Sequence, residues 1–295
     1  MTSVKDNSTP PQPAAPSSVV DSLVPKDMAL KAETIGISKA NLDFLSMSGL
    51  SVLAGSFIAL GAIFATVALT GTSAVPYGWA RVVAGVVFSV GLILVVVGGA
   101  ELFTGNVLIV MAWADRRVAT KRLLYSWGVV YLGNFVGAFL TALIVFLSKQ
   151  YTMSKGAIGA TALNIGMTKV SFDFAQAVML GILCNALVCL AVWLCFSART
   201  TLDKIASIIF PIAAFVACGF EHSIANMYFI PHALFIKAWA PASFWATAGL
   251  DPAAYGNLTW YGFFVRNLLP VTIGNIIGGA VLVGAVYWIV YLRKR

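Results

Sequence analysis

The chain has 295 residues, 60% of them hydrophobic and only 10% charged, with a mean hydropathy of +0.90. Soluble domains carry about 25% charged and 45–50% apolar residues, so this composition excludes an ordinary soluble globular protein and points to a membrane protein. The net charge of +8 does not imply nucleic-acid binding, because the basic residues lie at the ends of apolar segments, where they report topology.

Residues 1–25 read as a disordered cytoplasmic tail, with Pro10, Pro11, Pro13 and Pro16 among serines. The tail contains no apolar run, so the first span is expected to direct insertion itself. Residues 26–44 follow a proline suited to a first helical turn. Met28, Ala32 and Ile35 share one stripe, which predicts an amphipathic helix at the membrane surface, with a solvated linker as the alternative. A transmembrane domain over 45–292 then holds six apolar segments, at 45–70, 80–113, 122–148, 171–197, 204–236 and 261–292. A short C-terminus covers 293–295. About 20 residues suffice for one helical pass.

The second and fifth segments are too long for one straight helix. Gly98, Gly99 and Gly105 interrupt the second, and Gly219 the fifth. Non-helical backbone at membrane depth survives only where protein or a water-filled cavity satisfies it. Each segment is therefore predicted to be two half-helices joined by a loop on a pathway. With both termini cytoplasmic, thirteen of the nineteen Lys and Arg fall on the inner flanks, as the positive-inside rule asks.

The chain repeats itself. Gly99-x-Glu101-x4-Asn106 returns 120 residues later as Gly219-x-Glu221-x4-Asn226. Gly133-Asn134-x-x-Gly137 in the third segment returns as Gly274-Asn275-x-x-Gly278 in the sixth. Three spans per half force opposite orientations, and inverted repeats with broken helices point to a transport site at the midplane. The fold class expected is all-α: six transmembrane helices in two inverted three-helix repeats, with the second and fifth broken. The small-residue pairs are expected to serve close helix packing.

A carboxylate at the bilayer centre costs about 2.5–3.5 kcal/mol and needs partners. Glu101 and Glu221 either cap backbone N–H groups at the breaks or act as an ion ligand or proton relay. His222 stands where the first repeat has Leu102, so one half is specialised, and a histidine beside a break is a functional candidate. His232 reads as a hydrogen-bonded interfacial residue. Thr104, Asn185 and Asn226 offer hydrogen bonds to an anion. Lys169, just before the fourth segment, is either an interfacial flank or a cation that concentrates anions at a mouth. Gly99, Glu101, Asn106 and Gly219 are expected to build the breaks.

Cys184, Cys189, Cys195 and Cys218 lie inside apolar segments without metal-type spacing and read as buried small hydrophobes. No metal cluster, phosphate loop or nucleophile elbow is present, so no cofactor, metal or catalytic residue is expected. A membrane enzyme using Glu221 and His222 as an acid–base pair, and a non-conducting sensor, are the competing classes.

Glu-Leu-Phe-Thr at 101–104, Cys-Leu-Ala-Val-Trp at 189–193, Gly-Phe-Glu-His-Ser-Ile-Ala-Asn-Met at 219–227 and Asn-Leu-Leu-Pro-Val-Thr-Ile-Gly-Asn-Ile-Ile-Gly-Gly at 267–279 resemble the formate/nitrite transporter family. The similarity runs from about residue 26 to the end. The resemblance implies an aquaporin-like protomer with its own pore, assembled as a homopentamer in the bacterial inner membrane. It implies formate as the substrate, passing as the anion or with a proton, with nitrite or hydrosulfide as alternatives. It places pore constrictions at Phe88, Leu92, Leu102, Phe103, Val188 and Phe215, around a polar pathway of Thr104, Lys169, Asn185, Glu221, His222 and Asn226. It also suggests that the N-terminal region gates the pore with pH and contacts a cytoplasmic formate-producing glycyl-radical enzyme.

Overall fold

A computed structural model describes residues 22–293, which are helical without any strand among them. Residues 1–21 of the expected tail, and Lys294 and Arg295, lie outside the described residues. The helices are α1 (Pro25–Ala40), α2 (Phe44–Leu69), α3 (Tyr77–Gly98), α4 (Phe103–Ala114), α5 (Thr120–Leu147), α6 (Ala157–Val170), α7 (Phe174–Ser197), α8 (Thr201–Ala217), α9 (Ser223–Trp239), α10 (Ala242–Ala248) and α11 (Gly262–Tyr291). Among the described residues, α2, α3, α5, α7 and α11 are long and apolar enough to cross a membrane, while α4 is a shorter apolar helix. The second and fifth predicted segments are each split in two, as α3–α4 and α8–α9.

Both splits have the same cause. Gly99 and Gly219 sit at φ of +80° and +73°, where a Cβ would be strained and glycine is not. The amide that follows each of these glycines turns back to a carbonyl five residues earlier: Ala100 N to Val95 O at 2.9 Å, and Phe220 N to Phe215 O at 3.0 Å. These are helix C-terminal caps with the six-to-one bond of the Schellman motif and a left-handed glycine, and they stop the helix in the middle of an apolar run.

The halves are held by small-residue contacts. α2 packs on α5 and α7 on α11, while α3 packs on α8 across the halves. A Cβ on Gly137 would stand 1.9 Å from Val52 O, and one on Gly278 would stand 2.2 Å from Ile182 O. Backbone cannot give way as a flexible side chain can. Gly137→Val is therefore expected to destabilise by about 3 kcal/mol, the upper end for overpacking. Thermal unfolding in detergent checks this, and an unchanged midpoint would show that α2 and α5 can separate at no cost.

α1 forms as a helix over most of the expected range, and one face of it is covered. Its small face, with Ala29, Ala32, Gly36 and Ala40 buried, docks on protein. A Cβ on Gly36 would come within 3.4 Å of Ala112 in α4. Arg122 of α5 donates to the carbonyls of Ala40 and Leu42 and so caps the end of α1. Ser197 Oγ donates to Leu23 O at 3.1 Å, so the chain is already held just before α1. The outward faces of α2 and α5 carry exposed Leu53, Leu60, Leu132, Leu140 and Ile144, as contact with lipid or another protomer requires.

Candidate functional site

Each break leaves backbone groups without helical partners, and one asparagine per half satisfies them. Asn134 Oδ1 accepts from Phe103 N at 2.9 Å, while its Nδ2 donates to Ser51 O at 2.7 Å and Glu101 O at 2.9 Å. Asn275 does the same: Oδ1 accepts from Ser223 N at 2.9 Å, and Nδ2 donates to Gly181 O at 2.8 Å and Glu221 O at 2.9 Å. Capping of the exposed N–H groups had been one expectation for Glu101 and Glu221. The structure gives that task to the asparagines, because an amide both accepts and donates, whereas a carboxylate only accepts. The backbone amides of the two glutamates also match, donating to Leu50 O and Leu180 O at 3.2 Å each.

The carboxylates instead meet side chains. Glu101 Oε1 pairs with Lys39 Nζ at 2.8 Å, and its Oε2 accepts from Asn106 Nδ2 at 2.6 Å. Glu221 Oε1 pairs with Lys169 Nζ at 2.7 Å, and its Oε2 accepts from Asn226 Nδ2 at 2.7 Å and Asn267 Nδ2 at 3.1 Å. Lys169 is thus neither a bare flank nor an uncompensated cation, since its charge is offset at contact distance. Two members escape sequence reasoning. Asn267 lies in a π-helical stretch of α11, and also donates to Lys169 O at 2.8 Å. Lys39 counts by sequence only as a flanking charge, although a signal existed: Lys39-x3-Asp43-Phe44 repeats as Lys169-x3-Asp173-Phe174. Both aspartates cap the following helix, accepting from Ser46 N at 3.0 Å and Gln176 N at 2.8 Å. α1 is therefore the repeat mate of α6.

Two cavities approach each other at the breaks. The larger, about 490 Å³, is lined by Arg81, Phe88, Lys169, Phe215, Glu221 and His222, among others. The smaller, about 290 Å³, is lined by Lys31, Lys39, Leu92, Glu101, Leu102 and Lys204, among others. Phe88 and Leu92 lie one turn apart on α3, both buried, one facing each cavity. Phe88 meets Phe215 edge-on at 5.6 Å, and Phe215 stacks on the His222 ring at 5.9 Å. Apolar rings therefore wall the larger cavity from the smaller.

One polar bond stands within that wall. His222 Nε2 lies 3.0 Å from Thr104 Oγ1. His222 Nδ1 accepts from Ala225 N at 3.1 Å, at the start of α9. With Nδ1 engaged as an acceptor, the ring proton belongs on Nε2, which donates to Thr104. Thr104 is fully buried and its carbonyl accepts from Cys189 Sγ at 3.3 Å. Glu221 and His222 are adjacent in sequence but share no hydrogen bond, each being engaged by other groups.

Other expected pathway residues stand apart from the cavities. Asn185 turns toward α11, donating to Asn275 O at 2.7 Å, and lines neither cavity. Phe103 and Val188 are buried and line neither cavity, and the Phe103 ring packs against Tyr131 at 4.9 Å. His232 is buried, not interfacial, with Nδ1 3.3 Å from Ala142 O and its ring stacked on Tyr228. Three cysteines are buried as expected, but Cys218 is exposed, because it falls at the end of α8 where the chain turns. No group of three or more His, Cys, Asp or Glu positioned to hold a metal occurs among the described residues.

Comparison with known proteins gives the site a setting. The profile of the family described as "Formate/nitrite transporter" matches residues 26–289. The chain is 47% identical to the formate channel FocA of Escherichia coli K12 over 275 residues, covering 93% of this chain and 96% of that one. It is 43% identical to the FocA of Haemophilus influenzae, covering 89% and 92% respectively. Among solved structures, a pentameric formate channel with formate bound matches at 44% identity and a TM-score of 0.80, covering 91% of this chain and 99% of that one. An FNT family ion channel matches at 26% identity with a TM-score of 0.76, covering 90% and 98%.

Proposed function

The chain belongs to the formate/nitrite transporter family, and on that premise we propose that it is a membrane channel for formate, with one pore in each protomer of a homopentamer. The observation that carries the proposal is the His222–Thr104 bond, set in an apolar wall between two charged cavities. Relatives called formate channels and the formate-bound pentameric neighbour support the substrate and the assembly.

The mechanism follows from the cost of desolvation. An anion cannot cheaply enter a ring of Phe88, Phe215, Leu92 and Leu102, because burying an unpaired charge is expensive. Hydrogen bonds from His222 Nε2 and Thr104 Oγ1 replace part of its lost hydration. Formate then crosses either as the stabilised anion or as neutral formic acid after gaining a proton, and the neutral form passes apolar side chains more readily. A proton gradient would drive uptake in the second case. Both termini lie in the cytoplasm of a bacterial inner membrane, in line with the Lys and Arg bias. The N-terminal region is the surface for gating and for a formate-producing glycyl-radical enzyme. A catalytic role for Glu221 with His222 has less support, because each is engaged by other groups.

Uptake of labelled formate into proteoliposomes, with and without an inward proton gradient, tests the proposal. Flux above empty vesicles, raised by the gradient, is the expected result. No formate flux alongside rapid nitrite flux would move the substrate within the family. His222→Phe should lower formate flux about 10–100-fold and flatten its pH dependence, since a hydrogen bond to a charged group contributes about 1.5–3 kcal/mol. Unchanged pH-dependent flux in that variant would remove His222 from the mechanism.

A further inference from the structure

Anions must be drawn toward both cavities before either wall matters. The buried lysines are poor sources of that attraction. Lys169 stands 2.7 Å from Glu221 and Lys39 stands 2.8 Å from Glu101, so each pair presents nearly no net charge at a distance. Other cations line the same cavities: Arg81 in the larger, Lys31 and Lys204 in the smaller. None of the three forms an ion pair among the described residues. Arg81 donates to the carbonyls of Val216 and Ala217 at the end of α8, and Lys31 Nζ donates to Phe196 O at 2.8 Å. A neutral carbonyl orients a cation without cancelling its charge. The negative end of α8 and the positive end of α9 meet at one break and offset each other.

We propose that Arg81 at the larger cavity, and Lys31 with Lys204 at the smaller, carry the net positive charge that recruits the substrate anion. Lys169 and Lys39 are the neutralised partners of the glutamates. The proposal rests on the transport reading above and names the residues that set anion preference at each mouth. The charges are unequal: the larger cavity keeps one uncompensated cation and the smaller two. Lys31 responds to its burial first and to that crowding second. Partial burial, followed by the nearby charges of Lys204 and Arg199, lowers its ammonium pKa below the ordinary lysine value. A bound anion would relieve it. Charges lining a low-dielectric cleft focus the field and raise the local concentration of the opposite ion, an effect that falls with ionic strength.

The test is the initial rate of labelled formate uptake at neutral pH into proteoliposomes of defined orientation, across formate concentrations and two ionic strengths. For the mouth lined by Arg81, Arg81→Gln should raise the apparent KM about 3–10-fold at low salt, with little change in maximal rate and a flatter salt dependence. Arg81→Lys should restore most of the affinity. Tyr77→Glu sets a counter-charge on the rim of the same cavity with Arg81 in place, and should raise KM in the same way. It carries the test if Arg81→Gln fails to fold for want of its two carbonyl bonds. From the opposite side, Lys31→Gln with Lys204→Gln should have the larger effect. Wild-type KM and salt dependence in both Arg81→Gln and Tyr77→Glu would overturn the proposal. If the wild-type protein carries nitrite and not formate, the comparison is made with nitrite, so failure of the substrate assignment leaves this result decisive.

Discussion

Lys169→Met is expected to lower the stability of the protein by about 3–5 kcal/mol, the cost of stranding one member of a buried ion pair. The Glu221 side chain is 3% exposed and that of Lys169 14%, so water cannot replace the lost ammonium. Asn226 and Asn267 would still donate to the carboxylate, but amides do not cancel its charge. Glu221→Gln in the same chain should recover most of the loss, because a neutral amide keeps the shape and removes the uncompensated charge. A double-mutant cycle by thermal unfolding in detergent measures this coupling. Simple additivity of the two single variants would show that the pair contributes nothing as a pair. Lys39→Met should show the same pattern with a smaller cost, since Lys39 is 30% exposed and solvent can reach the site.

The second large effect belongs to the two asparagines. Asn275→Leu removes partners from Ser223 N, Gly181 O and Glu221 O, and Asn134→Leu removes them from Phe103 N, Ser51 O and Glu101 O. Each unsatisfied buried polar group costs about 1–3 kcal/mol, so the three stranded by each substitution should destabilise by roughly 3–9 kcal/mol. In lipid there is no outside water to repair the loss. Formate flux should fall as well, because the stranded amides of Ser223 and Phe103 adjoin His222 and Thr104, whose mutual bond spans the halves. Oligomer stability in detergent and flux in vesicles read the two consequences separately. Near-normal values for both variants would mean that the breaks can satisfy themselves by other contacts.

Much of this arrangement is local chemistry and was legible in the chain. Long apolar runs must be helices in lipid, since every backbone group needs an internal partner. Gly99 and Gly219 mark the breaks because glycine alone adopts positive φ there without strain. The repeat of Gly-x-Glu-x4-Asn announces two equivalent breaks, and His222 stands in the second where the first has Leu102. The glycines of α5 and α11 were legible as close-packing positions, and their contacts with Val52 O and Ile182 O bear this out.

Partners across long chain distances were another matter. Lys39 lies 62 residues from Glu101, and Asn267 lies 46 from Glu221. Asn185 and Asn226 are both amides in apolar segments, yet one faces α11 and the other the larger cavity. α1 carries an apolar stripe suited to a membrane surface, but Gly36 and its alanines let α4 approach and cover it. Sequence by itself determined where the chain forms apolar helices, where it breaks and that it repeats, because hydropathy and glycine conformation act within a few residues. Only the tertiary structure decided which charge meets which, which caps close the breaks and which side chains face each cavity. Those outcomes depend on distances of about 3 Å between groups brought together by helix packing, and hydrogen bonds and ion pairs weaken steeply beyond such contact.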